Sequence, residues 1–230
     1  IDNWDIHAPP GIIEQLKTGK IQSYSEALLT LNATIRTHFG EMLHHWVDGV
    51  LGHVETPYTD LVDLYKQLKD SGFKIYYTNN LRKAKMYLWN RYEKSPDARY
   101  GMICSSRDKS LGNYGMKTLS WPKTLNYGRW YNESQSHGDS CCALDLAVTE
   151  FDSQGLELDC TLVGWGNDFI IQNGKWNNDR AKRYAYTSDI KDAFTLRRNA
   201  YRVLLTRARD GMILYVPSDE LWNGRKIKYY

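Results

Sequence analysis

The chain has 230 residues, of which 42% are hydrophobic and 25% are charged, proportions that fit one large globular domain. This composition excludes a disordered or collagen-like chain, and no apolar run reaches the roughly 18 to 20 residues of a membrane-spanning helix. Residues 1–10 have neither the basic start nor the apolar core of a secretory signal. We therefore expect a cytoplasmic protein that makes no contact with membranes.

The cysteines give no sign of a disulfide framework or a metal site. Cys141 and Cys142 are adjacent, Cys104 and Cys160 lie far from them, and no C-x-x-C motif is present. His137 precedes Cys141 by four residues, but a second pair of ligands is missing. The sequence predicts no bound metal.

The net charge of +3 is unevenly distributed. Ten Lys or Arg and three Asp lie from Lys175 to Arg209, a net charge of +7, whereas residues 133–159 carry seven carboxylates and no Lys or Arg. An acidic segment followed by a basic one indicates either a surface that handles polyanions or an ordinary solvated face.

The first half of the chain predicts a linker followed by alternating helices and strands. Residues 1–24 contain Pro9 and Pro10 and are interpreted as a linker or the tail of a preceding element, with one folded domain over 25–230. Apolar residues at helical spacing predict helices over 38–51, 59–71 and 81–92. Short apolar and aromatic runs predict strands over 73–78 and 100–104.

The second half continues the pattern around two polar insertions, near 105–140 and 166–189. Strands are predicted over 143–148, 160–165 and 212–216, a helix over 190–207, and a turn at Asp210–Gly211. The alternation of strands and helices predicts an α/β fold with a largely parallel sheet.

Three segments place arginines or carboxylates beside predicted strands. They are LNATIR at 31–36, TEFDSQGLELD at 149–159 and RRNAYRVLLTRAR at 197–209. An arginine that leaves water needs an anionic partner, because an unpaired charge out of water is expensive. That partner is either a carboxylate of the protein, such as Asp152 or Glu157 for Arg207, or a phosphate.

These segments resemble, in order and spacing, the fourth, fifth and sixth motifs of the second RecA-like domain of superfamily one helicases, most closely the Schlafen-like helicase domain. The matching residues are Arg36; then Thr149, Gln154, Gly155, Leu156, Glu157 and Asp159; then Tyr201, Leu205, Thr206, Arg207 and Ala208. The resemblance covers residues 25–217. It implies a RecA-like, mostly parallel sheet with helices on both faces, which is the P-loop NTPase-like fold without its P-loop.

The resemblance also implies roles for single residues. Arg207 and Arg36 are expected to be catalytic arginine fingers, which stabilise the charge that spreads over the γ-phosphoryl oxygens during ATP hydrolysis. Nucleotide contacts are expected at Gln154, Gly155, Glu157 and Tyr201. Thr149 is expected to face the backbone of a nucleic-acid strand.

Other candidate strand contacts come from residue type alone. Arg197, Arg198 and Arg202 are interpreted as a solvated or phosphate-facing side of a helix, with Arg198 as the predicted strand contact. Trp121, Trp130 and Trp165 are candidates for stacking on bases, with Trp165 as the predicted strand contact. For each tryptophan, packing in the core or in a loop is the alternative.

The sequence lacks the residues that cradle ATP. Neither Gly19-Lys20 nor Gly174-Lys175 belongs to a G-x-x-x-x-G-K-[ST] motif. The resemblance therefore implies that ATP with Mg²⁺ is held mainly by an upstream P-loop domain of the same parent chain. It also implies that the isolated chain is inactive, although it forms part of an ATP-dependent DNA or RNA helicase or translocase acting on single strands.

Two alternatives remain open at the level of the sequence. The first is a nucleic-acid-binding or scaffold module that keeps the fold but hydrolyses nothing. The second, with less support, is a nuclease built on the clustered carboxylates Asp139, Asp145, Glu150 and Asp152, which lack a lysine in the pattern that nucleases use.

Overall fold

The computed structural model of the chain describes residues 5–15, 22–30, 39–118, 125–182 and 190–217. The chain divides into two compact units, residues 1–41 and 42–230. In the first unit, strand β1 (Ile6–Ala8) pairs in parallel with strand β2 (Ser23–Ser25), and helix α1 (Pro10–Gln15) lies between them in sequence. A short 3-10 helix, Ala27–Leu29, follows.

The second unit contains the elements that carry the predicted motifs. Its helices are α2 (Gly40–Val50, whose first two residues precede the division), α3 (Tyr58–Asp70), α4 (Leu81–Tyr92), α5 (Tyr127–Asn132) and α6 (Ala193–Leu205). Its strands are β3 (Lys74–Thr78), β4 (Tyr100–Cys104), β5 (Ala147–Thr149), β6 (Leu158–Gly164), β7 (Ile170–Gln172), β8 (Lys175–Asn177) and β9 (Ala208–Tyr215).

Five of these strands form a central sheet in the order β3-β9-β6-β4-β5, and every pairing in it is parallel. Helices flank the sheet, which confirms the predicted α/β class and is consistent with a RecA-like fold. One register row crosses all five strands through Thr78, Tyr215, Gly164, Cys104 and Thr149. We call this end of the sheet its carboxyl end and the opposite end its amino end.

The core forms on both sides of the central strands. All five residues of β4 are buried, as is usual for parallel strands covered on both faces. Leu88 of α4 and Leu204 of α6 are fully buried. Helix α4 has the bounds that the sequence predicts, and its first turn is capped by Asn80, whose side chain accepts a hydrogen bond from the amide of Lys83.

Two predicted strand boundaries are wrong for local reasons. β5 begins at Ala147 rather than 143, because residues 141–143 form a 3-10 turn capped by Ser140 and Leu144 takes a left-handed φ of 55°. The turn predicted at Asp210–Gly211 lies inside β9. There the register shifts between Leu158 and Cys160, which indicates a β-bulge.

The predicted polar insertion at 166–189 contributes to the core. Its β7–β8 hairpin carries Phe169, which is fully buried and stacks on Trp176 with ring centroids 4.6 Å apart. Trp176 also donates a hydrogen bond to the carbonyl of Val50 at 3.0 Å. The hairpin is therefore bonded to α2 through Val50, and it packs against Trp165 at the end of β6.

Among the residues that the structure describes, no helix combines the length and apolar character needed to span a bilayer. All four cysteines are buried, and none forms a disulfide.

Candidate functional site

The sheet separates the predicted site residues into two groups. Thr149 ends β5 and Trp165 follows β6, so both lie at the carboxyl end. Glu157 immediately precedes β6 and Arg207 immediately precedes β9, so both lie at the amino end. Thr149 and Glu157 belong to the same motif. Because the strands are parallel, the end of β5 and the start of β6 nevertheless lie at opposite ends of the sheet.

At the amino end the structure brings Arg207 together with the close of the fifth motif, some fifty residues earlier in the chain. The amide of Leu158 donates to the carbonyl of Arg207 at 3.3 Å, and Nη1 of Arg207 donates to the carbonyl of Leu156 at 3.5 Å. The carbonyl of Glu157 accepts a hydrogen bond from the Tyr131 hydroxyl at 2.7 Å. The two contacts of Arg207 hold the half-buried arginine beside Leu156 and Leu158.

Gln154 and Gly155 form an exposed turn leading to that end. Gly155 has a φ of 80°, and a Cβ built there meets no atom within 4 Å. A left-handed conformation costs other residues roughly 1 to 2 kcal/mol, so glycine suits the turn. The open space lets a ligand approach the main chain closely.

Tyr201 lies elsewhere. Its side chain is fully buried, and its hydroxyl donates to Oδ1 of Asp168 at 2.6 Å. Because Asp168 belongs to the loop that follows β6, this contact is at the carboxyl end of the sheet. The structure therefore does not bring the Tyr201 hydroxyl to Gln154, Gly155 and Glu157, with which the sequence grouped it.

A buried ionic cluster lies at the carboxyl end, centred on Arg197. The Arg197 side chain is 3% exposed and forms ion pairs with Glu150 at 2.6 Å and Asp168 at 3.2 Å. Its Nη1 also donates to Oγ of Ser105 at 2.7 Å. The interpretation of Arg197 as solvated or phosphate-facing is wrong, since two protein carboxylates enclose its guanidinium.

This cluster joins α6 to the loops after β4, β5 and β6. Glu150 accepts hydrogen bonds from the amide of Ser106 at 2.7 Å and from its hydroxyl at 2.8 Å. Burial raises the pKa of Asp168, and this effect is opposed by hydrogen bonds from Ser105 and Tyr201 and by the charge of Arg197. One arginine thus balances two carboxylates inside the protein.

The three predicted strand contacts have different environments. The Thr149 hydroxyl donates to Oδ2 of Asp152 at 2.8 Å, which caps the turn after β5. Nη1 of Arg198 donates to the carbonyl of Gly52 at 3.0 Å. Trp165 is only 4% exposed and donates to the carbonyl of Phe169 at 2.7 Å, so its ring is packed in the core.

The described residues of the basic stretch, 175–182 and 190–209, do not form one surface. Besides Arg197, two of its arginines pair with carboxylates: Arg202 with Asp48 at 2.5 Å and Arg209 with Asp159 at 2.8 Å. The sequence could not reveal these two ion pairs, because Asp48 and Asp159 each lie at least forty residues from the arginine with which they pair.

Two pockets flank Thr149 at the carboxyl end. The first, of about 240 Å³, is lined by polar and basic residues that include Ser106, Lys109, Thr118 and Lys182. The second, of about 180 Å³, is lined by Leu125, Tyr127, Leu146 and Asp152 among others. Sequence reasoning missed Lys109 and Tyr127 and counted Lys182 only as part of the basic stretch, because all three belong to segments treated as insertions and carry no motif.

Of the remaining predicted residues, two lie outside the part of the chain that the structure describes, and one is buried. Arg36 and Trp121 lie outside the described residues. Trp130 is 2% exposed and packs close to Gly101 and Cys141. Over the described ranges, no three His, Cys, Asp or Glu side chains are grouped so that they could hold a metal ion.

The sequence as a whole was compared with known proteins. A family model described as Schlafen group 3, DNA/RNA helicase domain matches residues 2–218. The match spans nearly the entire chain and confirms the resemblance that the three motifs indicated. No curated protein gives a significant match.

Proposed function

Because the chain belongs to the Schlafen group 3 DNA/RNA helicase domains, we propose that it is the second motor domain of an ATP-dependent helicase or translocase. In this proposal its amino end faces ATP held by a P-loop domain, and its carboxyl end faces a single strand of DNA or RNA. Opening and closing of the two domains would move the strand.

One observation carries the proposal: Arg207 is held against Leu156 and Leu158 at the amino end of the sheet. An arginine finger must be presented by a fixed backbone, because the guanidinium has to meet the γ-phosphoryl oxygens when their charge develops. Arg207 stands between α6 and β9, two elements of the core, and its carbonyl is bonded to Leu158. Its position is therefore set by the sheet.

The residues at the amino end suit the phosphates of a nucleotide. The planar guanidinium of Arg207 stays charged and bonds phosphate oxygens in pairs. Gly155, in the fifth motif, offers open main chain. ATP supplies the phosphoanhydride bond, and we assign its Mg²⁺ and phosphate cradle to the P-loop domain, because this sequence has no P-loop. Arg36 is proposed as the second finger from its motif alone.

Two of the residues first expected at these sites are left out of the proposal. Tyr201 is fully buried and bonded to Asp168, so it is assigned to the core rather than to the nucleotide. Trp165 is stacked among Trp176 and Tyr201 and is likewise assigned to packing. Arg198 is half-buried and bonded to Gly52, so its guanidinium would have to move to reach a phosphate.

The test uses the parent protein that contains both this domain and a P-loop domain. We expect ATP hydrolysis that is stimulated by single-stranded DNA or RNA, and ATP-dependent displacement of an annealed strand. Binding of the strand without stimulated hydrolysis would support the scaffold alternative. Hydrolysis that ignores nucleic acid would contradict the proposed motor.

A further inference from the structure

The carboxyl end of the sheet carries two adjacent pockets of different chemistry, which share Thr149 as a wall. Each is smaller than the roughly 300 to 1,000 Å³ of a site for a whole small-molecule ligand. A repeating unit that offers an anionic part and a flat apolar part would suit the pair. A nucleotide of a single strand is such a unit.

The first pocket has the charge that a phosphate needs. Lys109 and Lys182 are exposed, and neither is paired with a carboxylate among the described residues. Asp108 lines the same pocket, but its oxygens accept hydrogen bonds from the amides of Ser110, Leu111 and Asn167. Glu150, close by, is paired with Arg197. Asp108 is buried, so the exposed charges of this lining are those of the two lysines.

The second pocket has the surface that a base needs. Tyr127 is 44% exposed, and Leu125 and Leu146 lie in the same lining, together with the polar side chains of Thr149 and Asp152. Stacking on an aromatic ring stabilises a bound base by roughly 1 to 3 kcal/mol and tolerates any sequence. Unlike the buried Trp165, the Tyr127 ring is accessible to such a base.

Asp152 fixes the two pockets relative to each other. Its Oδ1 accepts a hydrogen bond from the Tyr127 hydroxyl at 2.6 Å. Its Oδ2 accepts hydrogen bonds from the amide and hydroxyl of Thr149 at 2.9 and 2.8 Å. The Asp152 carboxylate thus connects the Tyr127 ring to Thr149, the wall that the two pockets share.

From this arrangement we infer that one nucleotide of a single strand straddles Thr149, with its phosphate between Lys109 and Lys182 and its base against Tyr127. The inference rests on the proposed function and gives it a specific strand site. It assigns strand binding to segments 105–118 and 125–132 and to Lys182 rather than to the arginines of α6.

The test measures binding of a fluorescent twelve-residue oligothymidylate, and of the same oligonucleotide with abasic sites, to the 230-residue chain at several salt concentrations. For Lys109→Gln with Lys182→Gln we expect weaker binding of both probes. The slope of log affinity against log salt should become shallower by about 0.7 for each phosphate that the variant no longer neutralises. Lys69→Gln, which changes an exposed lysine in the last turn of α3, outside both pockets, is the matched control and should leave affinity and slope unchanged.

Tyr127→Ala should weaken binding of the oligothymidylate roughly 5- to 150-fold, the equivalent of the stacking energy, and should leave binding of the abasic probe nearly unchanged. Tyr127→Phe keeps the ring and should bind like the parent, which separates stacking from the hydrogen bond to Asp152. If the lysine variant matches Lys69→Gln, or if Tyr127→Ala weakens both probes equally, the inference is wrong while the proposed function stands. If the parent chain binds neither probe at low salt, this domain provides no strand site of its own, which contradicts the inference and the strand-binding part of the proposed function.

Discussion

Arg197 and Glu150 lie 47 positions apart in sequence and form an ion pair of 2.6 Å from which water is almost excluded, with both side chains under 5% exposed. The pair joins the start of the fifth motif to the helix that leads into the sixth. Together with Asp168, this pair also holds the loops that border the first pocket, which is lined by Lys109 and Lys182. The carboxyl end of the sheet is therefore built around a buried charge cluster.

Replacing Arg197 by Met should strongly destabilise the domain. The change leaves Glu150 and Asp168 buried without their cation, and losing one partner of a buried pair costs roughly 3 to 5 kcal/mol. Arg202→Met is the matched control, because the pair with Asp48 is more exposed and is worth about 0 to 1 kcal/mol. Urea unfolding at pH 7.5 measures both. Equal, small losses would contradict the structural role of the cluster.

The loss in Arg197→Met should depend on pH in a defined direction. Burial raises the folded-state pKa of Asp168 above its ordinary value of 3.8, and without the opposing charge of Arg197 this pKa rises further. A carboxyl with a raised folded pKa costs no stability below its unfolded pKa and costs most above its folded pKa. The deficit relative to the parent should therefore be smaller at pH 5 than at pH 7.5. A deficit that grows on acidification would contradict this account.

Tyr201→Phe tests whether Tyr201 belongs to the core or to the nucleotide site. Removing the hydroxyl deletes a hydrogen bond to a buried carboxylate, which should lower the free energy of unfolding by roughly 1.5 to 3 kcal/mol. Nucleotide affinity of the parent protein should not change. A clear loss of nucleotide affinity with unchanged stability would return Tyr201 to the site that the motif first indicated.

Gly166→Ala tests the close approach of the loop after β6 to Asp108. An added Cβ would overlap the carboxylate of Asp108, whose side chain is itself held by backbone amides. Overpacking of this kind costs about 1 to 3 kcal/mol. Gly138→Ala, where nothing lies within 4 Å, should be nearly neutral. The urea midpoints of the two variants measure the difference, and indistinguishable midpoints would show that the Asp108 loop moves aside easily.

The isolated chain should hydrolyse no ATP above background, with or without single-stranded nucleic acid, because it has no P-loop. A phosphate-release assay on the purified chain measures this. Turnover that disappears in Arg207→Ala would show that the chain is a complete hydrolase and would contradict the proposal of half a motor.

The sequence predicted the sheet well because buried parallel strands are recognisable as short apolar runs between helices. Strand β4 and helix α4 have their predicted bounds, the latter because Asn80 is a clear cap. The bulge near Gly211 was not predictable, because it depends on pairing with β6, far along in the sequence.

The burial of Arg197 had one signal in the sequence. Arg197, Tyr201, Leu204 and Leu205 recur at positions i, i+4, i+7 and i+8, which is one face of α6, and Tyr201, Leu204 and Leu205 of that face are in the core. The carboxylates that make the burial tolerable come from two distant loops, so no local pattern could identify them. The pockets beside Thr149 were hidden for the same reason.

The central claim is that Arg207 is an arginine finger, and single-turnover ATP hydrolysis by the parent protein tests it most directly. A finger acts mainly on the transition state, so Arg207→Ala and Arg207→Lys should each lower the hydrolysis rate roughly 10³-fold or more while ATP affinity changes far less. Lysine should not rescue the rate, because a point charge cannot reproduce bidentate bonding. Arg202→Lys, on the preceding helix and paired with Asp48, should stay close to the parent rate. A folded Arg207→Lys protein that hydrolyses ATP within a few-fold of the parent would contradict the account.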